Sequence, residues 1–250
     1  MHGWVSIEDN KVVGFAGLYV YTYGGFTCIE LAHLLVDKSY RGKLHGKELE
    51  EARHEFYMNI PDSVIFVSCV DNPAYSFNMK LKLGFIKLGI RTQYRPHNMG
   101  VGQGSIVMGK YNISSTKMIE SGIPSEKTKK LMNEVLMNCD IDIKYRPSPN
   151  NKEDLLFKRR INQAESVTIM EDFKQSRIIA KIQNKISRHE LFNVMARVSK
   201  SECTYKSCIL NVINEQFIAI DKELINFGFN PVVFMPFYRS QFSKLEYQLL

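Results

Sequence analysis

The hydrophobic pattern of the first forty residues predicts an antiparallel start to a sheet. Val5–Ile7 and Val12–Val20 carry hydrophobic residues at alternating positions, which is typical of half-buried strands. Glu8–Asn10 lies between them and is a turn sequence, so the two strands are expected to form a hairpin. Cys28–Val36 is mostly apolar and predicts a third strand.

A helix is expected after the third strand. The segment from about His45 to Met58 places Leu49, Ala52 and Phe56 at helical spacing, with its charged residues elsewhere. The pattern therefore predicts an amphipathic helix that packs this apolar stripe on the sheet.

The next unit along the chain is strand, helix, strand, strand. Ser63–Val70 is a short apolar strand, and Asp71–Pro73 resembles a helix start with a capping residue and an early proline. The helix is expected to end at Leu83, before Gly84. Two further strands are predicted at Phe85–Tyr94 and Ser105–Asn112.

The remainder of the chain contains a second strand–helix series. Residues 114–124 are polar, Glu126–Met137 is a plausible helix, and residues 147–151 form a loop sequence. Beyond it we predict strands at 166–170, 178–182, 207–213 and 231–237 and helices at 188–198 and 215–227. The predicted domains are therefore 1–115, a linker with a helix at 116–160, and a smaller α/β domain at 161–250, in a mixed α/β fold.

One sequence pattern occurs in both predicted domains. The strand at Val64–Val70 is followed by a helix and Gly84-Phe85, and the strand at Cys208–Ile213 is followed by a helix and Gly228-Phe229. Such a unit is common in α/β folds, so coincidence and a degenerate half-repeat of the first domain both explain it.

Composition narrows the class of protein. Hydrophobic residues make up 44% and charged residues 24%, as in a globular chain, and the apolar runs are too short to span a bilayer. Five cysteines with no Cys-x-x-Cys pair indicate neither a disulfide framework nor a zinc site, so no metal is expected and a cytoplasmic location is the default. A net charge of +7 suits a polyanionic partner such as a phosphorylated cofactor, an anionic membrane face or nucleic acid.

The candidate chemistry lies between the third strand and its helix. Val36–Lys47 reads VDKSYRGKLHGK, in which a strand ends, a turn follows and a helix begins with small and basic residues. Backbone N–H groups and the positive end of the helix dipole then converge on one spot, which favours a phosphate. A plain strand-to-helix turn with solvated lysines is the alternative reading of these features.

This segment resembles the acyl-CoA-binding signature of the GNAT superfamily of N-acetyltransferases. Arg41 and Gly46 fall on the first and last positions of its Gln/Arg-x-x-Gly-x-Gly/Ala motif, and Asn72–Ala74 followed by Leu83–Phe85 resembles the next helix and strand of the superfamily. The resemblance covers about residues 4–112 and implies a GNAT-like fold that uses acetyl-CoA as co-substrate. The cofactor-binding residues it implies are Leu35, Val36, Arg41, Gly42, Lys43, Leu44, His45, Gly46 and Asn72.

The sequence departs from the family pattern at three places. Leu44 replaces the first glycine of the motif, and Lys80 stands where many members have a tyrosine. The usual first strand and first two helices have no counterpart, because the chain begins about where the second strand should. In the superfamily these helices form one wall of the acceptor site. A truncated start would explain their absence, and the second domain or the partner subunit of a homodimer would supply the wall.

The resemblance also implies the catalytic roles. Glu30 lies six residues before Val36, at the spacing of a base in the histone-modifying branch, and strand alternation predicts that it shares a face with Ala32, Leu34 and Val36. Tyr75 is the candidate acid for the departing thiolate, and backbone N–H groups near Val36 would polarise the thioester. Glu30 as an exposed strand-start carboxylate and Tyr75 as an ordinary aromatic remain the structural alternatives.

The expected activity is direct transfer of an acetyl group from acetyl-CoA to a small amine-bearing metabolite. A non-catalytic acyl-CoA-binding or interaction module is the second hypothesis, motivated by Leu44 and Lys80. A nucleic-acid or anionic-surface binder is the third and rests on charge alone, so no nucleic-acid or membrane partner is expected. Buried, structural roles are expected for Cys28 and Cys69 rather than a covalent acyl-cysteine.

Overall fold

The computed structural model describes twelve stretches of the chain: residues 1–23, 26–70, 75–92, 104–112, 118–122, 124–139, 142–146, 167–173, 176–182, 186–212, 216–236 and 243–249. The chain divides into two compact units. The first comprises Met1–Ser68 and Met108–Ser115, and the second comprises Cys69–Val107 and Thr116–Leu250. No helix in the described stretches is both long and apolar enough to cross a membrane.

The first unit is a mixed sheet with one long helix. Its elements are β1 (His2–Glu8), β2 (Lys11–Tyr23), β3 (Phe26–Val36), α1 (His45–Met58), β4 (Ser63–Val70, to Ser68 in this unit) and the second half of a later strand, β6 (Ser105–Asn112). The strand order is β1-β2-β3-β4-β6. The β1–β2 and β2–β3 pairs are antiparallel, and β3 runs parallel to β4 because α1 crosses over between them.

The sequence predicted this unit closely. The hairpin turns at Asp9 and Asn10, whose φ angles of 50° and 58° are those of a two-residue hairpin turn. The predicted third strand, α1 and β4 are confirmed with bounds that differ by two residues at most.

The buried face of α1 differs from the prediction. Its buried residues are His45, Leu49, Glu50, Arg53 and Tyr57, so two charged side chains lie in the core. Leu49 is part of the predicted stripe, whereas Ala52 and Phe56 are only half-buried. Helical periodicity placed all charges outside, and it was wrong because Glu50 and Arg53 pair with one another in the core.

The second unit contains a six-stranded sheet and a separate parallel pair. The sheet order is β5-β12-β13-β11-β10-β9, and β7 pairs with β8. The elements are α2 (Tyr75–Lys82), β5 (Ile86–Arg91), β7 (Met118–Gly122), α3 (Glu126–Leu136), β8 (Asp142–Arg146), β9 (Val167–Asp172), β10 (Arg177–Ile182), α4 (Arg188–Lys200), β11 (Tyr205–Asn211), α5 (Phe217–Asn226), β12 (Phe229–Met235) and β13 (Lys244–Leu249).

Most predicted elements of this unit are present. Both α2 and α5 end before a glycine with positive φ, Gly84 at 78° and Gly228 at 95°, as the glycine signals predict. The sequence missed β7, β8 and β13, and Asn72 and the rest of the predicted start of α2 lie outside the described residues. The strand predicted over Phe85–Tyr94 is shorter, since β5 ends at Arg91.

Two series of elements along the chain repeat one topology. In chain order, β2-β3-α1-β4-α2-β5-β6 corresponds to β9-β10-α4-β11-α5-β12-β13. The order β2-β3-β4-β6 in the first sheet matches β9-β10-β11-β13 in the second, and in each series the first pair is antiparallel and the second parallel. In each series the last strand, β6 or β13, lies beside the strand that precedes the second helix, which is β4 or β11. This agreement in topology supports the half-repeat that the sequence pattern indicated.

Candidate functional site

A short turn connects β3 to α1 and shapes the site. The Asp37 carboxylate accepts a hydrogen bond from the Ser39 amide at 2.9 Å and another from the Ser39 hydroxyl, which starts a 3-10 turn over Lys38–Tyr40. Both hydrogen bonds lower the pKa of Asp37, and the bond from the Ser39 hydroxyl is the larger cause. The Asp37 amide donates to the Val13 carbonyl at 2.8 Å, so the start of the turn is fixed to β2.

Two residues of the turn have a left-handed backbone. Gly42 has φ +88° and Leu44 has φ +69°, and Leu44 is the residue that precedes α1. A left-handed conformation costs a non-glycine residue roughly 1–2 kcal/mol. The backbone thus has the shape that a glycine would favour at Leu44, and the leucine side chain turns outward, with 63% of its surface exposed.

The turn leaves a run of amides available. Within the described chain, no protein acceptor faces the backbone N–H groups of Gly42, Lys43, Leu44, His45 and Gly46. The first bonds of α1 run from the Lys47 and Glu48 amides to the Leu44 carbonyl, at 2.8 and 3.1 Å. Leu44 supplies no side-chain cap, so the positive end of the helix dipole is open to an anion.

The fold leaves room for a larger side chain at Gly46. A Cβ built at Gly46 would meet only Val36 Cγ2, at 3.6 Å, which is an ordinary van der Waals contact. A glycine inside a helix costs about 1 kcal/mol relative to alanine. No neighbouring atom of the protein requires a glycine at this position in the first turn of the helix. The glycine is therefore consistent with close approach of a ligand to the backbone.

The cations of the turn already have partners. Lys43 Nζ lies 2.6 Å from Glu8 Oε1, and His45 Nε2 lies 2.7 Å from Glu8 Oε2. Both hydrogen bonds lower the pKa of Glu8, and the bond from Lys43 is the larger cause. The hydrogen bond to Glu8 in turn raises the pKa of Lys43. Arg41 Nε donates to the Val36 carbonyl at 3.2 Å. The sequence did not anticipate Glu8, which is the last residue of β1 and is distant along the chain.

His45 is a structural residue of the helix start. Its Nδ1 lies 2.8 Å from Ser6 Oγ on β1, and its side chain is almost fully buried. The imidazole therefore fixes α1 to β1, and the backbone amide is the His45 group without a protein acceptor in the described chain.

A bulge in β3 changes the predicted geometry of Glu30. Gly17 pairs with Ala32 but Ala16 pairs with Leu34, so His33 is an extra residue, with φ +50°. Residues that pair across an antiparallel ladder share a face, so Ala32 and Leu34 lie on opposite faces.

The predicted shared face of Glu30 and Val36 is therefore wrong. Glu30 pairs with Tyr19 and lies on the face of Ala32, whereas Val36 pairs with Gly14 on the face that α1 covers. The inserted residue reverses the alternation, and no periodic pattern marks it. Glu30 and His33 are both exposed.

The bulge also coincides with an opening in the sheet. The parallel pairing of β3 with β4 covers Thr27–Leu31 and Ser63–Val67 and ends there. Residues 32–36 of β3 continue to pair with β2 but have no recorded pairing with β4 in the described chain. One edge of β3 is thus open next to the turn that begins α1, and Leu35 and Val36 lie on this open stretch.

The other candidate residues lie outside the turn and outside residues 32–36 of β3. Tyr75 begins α2 in the second unit with 80% of its surface exposed, and Asn72 lies outside the described residues. Lys80 is fully buried, with Nζ 5.1 Å from the ring centre of Phe85. Cys28 and Cys69 are buried, as predicted, and the described residues contain no group of three metal-ligating side chains.

Comparison with known proteins identifies the family of the N-terminal segment. The model of the acetyltransferase (GNAT) family matches residues 1–85. No curated protein sequence matches the chain.

Solved structures with a similar fold include several acetyltransferases. The ribosomal-protein-S18-alanine N-acetyltransferase of Escherichia coli is 18% identical, with a TM-score of 0.39, over 46% of this chain and 70% of that one. The IAA acetyltransferase of Bacillus cereus is 19% identical, with a TM-score of 0.37, over 44% and 76%. With these scores below 0.5, the assignment rests on the family model, by which residues 1–85 form a domain of the GNAT acetyltransferase family.

Proposed function

We propose that this protein is an N-acetyltransferase that binds acetyl-CoA at the turn between β3 and α1. The observation that carries the proposal is the run of five amides, Gly42 to Gly46, without a protein acceptor at the start of an uncapped helix. A diphosphate has the charge and the acceptor oxygens for such a site.

The open edge of β3 offers the place for the thioester. Main-chain groups at Leu35 and Val36 are adjacent to the turn, and a backbone N–H there would stabilise the negative charge that develops on the thioester oxygen. The amine nitrogen attacks the carbonyl carbon, the C–S bond breaks, and the acetyl group becomes an amide. The amine loses one proton and the CoA thiolate gains one.

The proton-transfer roles remain with Glu30 and Tyr75. Glu30 is an exposed carboxylate on the face of β3 opposite α1, which supports its role as the group that accepts the amine proton. Tyr75 is an exposed phenol and is the candidate donor to the thiolate. The acceptor we propose is a small amine-bearing metabolite.

Titration calorimetry with acetyl-CoA and with CoA tests the binding step. The sharpest variant is Gly46→Ala, because the fold tolerates the added methyl group, which would lie beside Val36 at the proposed site. We expect the unfolding midpoint to rise while CoA affinity falls about tenfold, equivalent to about 1.4 kcal/mol. Absence of CoA binding at millimolar concentration would refute the proposal.

A thiol-release assay with a panel of amines tests the transfer step. Glu30→Gln is expected to lose most turnover while CoA affinity is unchanged. Glu51→Gln, an exposed carboxylate on α1 that pairs with Lys47 at 3.6 Å, is the matched control and should retain full turnover. If Glu30→Gln is as active as the parent across pH, the base is another group.

A non-catalytic CoA-binding module is the second candidate. The pairing of Glu8 with Lys43 and His45 favours it, because the basic side chains of the turn are engaged by a resident carboxylate. CoA binding without thiol release for any amine in the panel would support this candidate against the first.

A further inference from the structure

A buried arginine on α1 contacts the sheet at the bulge of β3. Arg53 Nη1 donates to the Gly17 carbonyl at 2.8 Å and to the Ala32 carbonyl at 3.1 Å. Gly17 and Ala32 are the last pair of the β2–β3 ladder before the register shift at His33. A single guanidinium therefore joins both strands at the point where the ladder is interrupted.

The same point is where β3 leaves β4. The last parallel pair is Leu31 with Val67, and Ala32 is the next residue of β3. In a regular ladder, carbonyl groups lie in the plane of the sheet and bond to neighbouring strands. At the bulge this ladder is interrupted, and there the Gly17 and Ala32 carbonyls accept hydrogen bonds from a side chain of the helix that packs on the sheet.

The guanidinium is maintained in the core by its own helix. Arg53 has 2% of its side chain exposed and Glu50, one turn earlier, has 1%, and the two are in direct hydrogen-bond contact through Arg53 Nη2. A buried charge needs a partner and hydrogen bonds, and Glu50 supplies the partner while the two carbonyls supply acceptors. The pair costs desolvation that an apolar pair would avoid, so its presence indicates a role other than stability.

We propose that Arg53 is a positioning residue, which fixes the bulge of β3 and so keeps the edge of residues 32–36 open for the acyl group and pantetheine arm of acetyl-CoA. This inference rests on the proposed function for its ligand, and on the contacts of Arg53 for its mechanism. Glu50 acts through Arg53, by holding the guanidinium in place.

The test replaces the ion pair as a unit. The double variant Glu50→Leu/Arg53→Met removes the donors and leaves no unpaired buried charge, and such replacements are often neutral for stability. Trp4 is the single tryptophan, and its ring lies 5.3 Å from that of Phe56 on α1, so its fluorescence reports whether the first unit remains folded.

Asn112→Leu is the matched control. Asn112 Nδ2 also bridges two carbonyls, those of Met58 at 2.9 Å and Ile60 at 2.7 Å, but at the other end of α1. It removes a clamp of the same kind without touching the bulge, so a purely structural effect would appear equally in both variants.

Two measurements are made on each variant. Hydrogen exchange is measured in the absence of ligand for the amides of residues 34–36 that bond to β2. It is expected to accelerate about tenfold in the double variant and to be unchanged in Asn112→Leu, because two charge-assisted hydrogen bonds are lost only in the first. CoA affinity is expected to fall about tenfold in the double variant and to stay within about twofold in the control.

The outcomes separate this inference from the proposed function. Parent-like exchange and parent-like CoA affinity in a folded double variant would refute the role of Arg53 while the proposed function stands. Failure of the parent to bind CoA would refute the proposed function and the ligand named here. If the double variant loses the Trp4 transition, Arg53→Lys replaces it: accelerated exchange at Leu34–Val36 supports the role, and parent-like exchange refutes it.

Discussion

The helices α1 and α4 occupy the same place in the two repeated topologies, yet they begin in opposite ways. α4 starts with a capping box, in which Ser187 Oγ accepts from the Glu190 amide at 3.2 Å and the Glu190 carboxylate accepts from the Ser187 amide at 2.9 Å. α1 starts at Leu44, with no side-chain cap and a left-handed backbone. In α1 the backbone N–H groups of Leu44, His45 and Gly46 have no protein acceptor within the described chain.

The buried faces of the two helices differ in the same sense. The buried residues of α4 are all apolar: Leu191, Val194, Met195 and Val198. α1 buries Glu50 and Arg53, and Arg53 donates to two carbonyls of the sheet. The comparison teaches that α4 has the features of a helix selected for packing, whereas α1 keeps costly features at both its start and its buried face. This difference supports the proposed binding site at the start of α1.

Breaking the ion pair of α1 is expected to have the largest effect. Glu50→Gln leaves the Arg53 guanidinium buried without its charged partner, so the free energy of unfolding should fall by roughly 3–5 kcal/mol. Urea unfolding followed by Trp4 fluorescence measures it. Glu51→Gln, the exposed neighbour, should change the free energy by less than about 0.5 kcal/mol. A loss for Glu50→Gln no larger than that of the control would show that water reaches the pair.

The start of α4 should contribute to stability alone. Ser187→Ala removes the hydroxyl that caps the Glu190 amide and is expected to cost about 1 kcal/mol. Far-UV circular dichroism during urea unfolding measures this loss. CoA affinity should be unchanged, since the proposed site lies at the start of α1 and not at α4. A fall in CoA affinity with Ser187→Ala would contradict the assignment of the site to α1.

The capping box also predicts a pH dependence of smaller size. Hydrogen bonds from the Ser187 amide and then its hydroxyl lower the pKa of Glu190 below its ordinary 4.5. A carboxylate with a lowered folded pKa stabilises the protein above its unfolded pKa, and this stabilisation is lost as pH falls through the folded value. The stability difference between the parent and Glu190→Gln should therefore narrow from pH about 6 to pH about 3.5. Urea unfolding at each pH tests this, and a constant difference would contradict it.

Hydrophobic periodicity was enough to predict α4 and most strands, because each buries a regular apolar face. It also found α1, whose buried face contains Glu50 and Arg53 beside Leu49. It could not find the bulge at His33, since one inserted residue leaves the composition of β3 unchanged while reversing which side chains share a face. The role of Glu8 was equally hidden, because the contact with Lys43 spans the whole of β2 and β3. The spacing of Glu50 and Arg53 was a visible signal, since residues three apart share a helix face, but burial of both was not.

The smallest effect is expected at Leu44, where the turn of α1 departs from the glycine of its family. Leu44→Gly removes a strain of roughly 1–2 kcal/mol from the left-handed backbone, and the flexibility of glycine in the unfolded chain returns about 0.5–1 kcal/mol, so a net gain of about 0.5 kcal/mol in the free energy of unfolding should remain.

Gly42→Ala is the reverse experiment at the neighbouring left-handed residue. A Cβ there would have no heavy atom within 4 Å, so any destabilisation comes from its φ of +88° alone. Trp4 fluorescence should record a gain for Leu44→Gly and a loss for Gly42→Ala, with CoA affinity kept in the first because the leucine side chain points outward. If Leu44→Gly instead weakens CoA binding, the exposed leucine is itself a ligand contact, and the turn recognises its anion through an apolar side chain as well as through its amides.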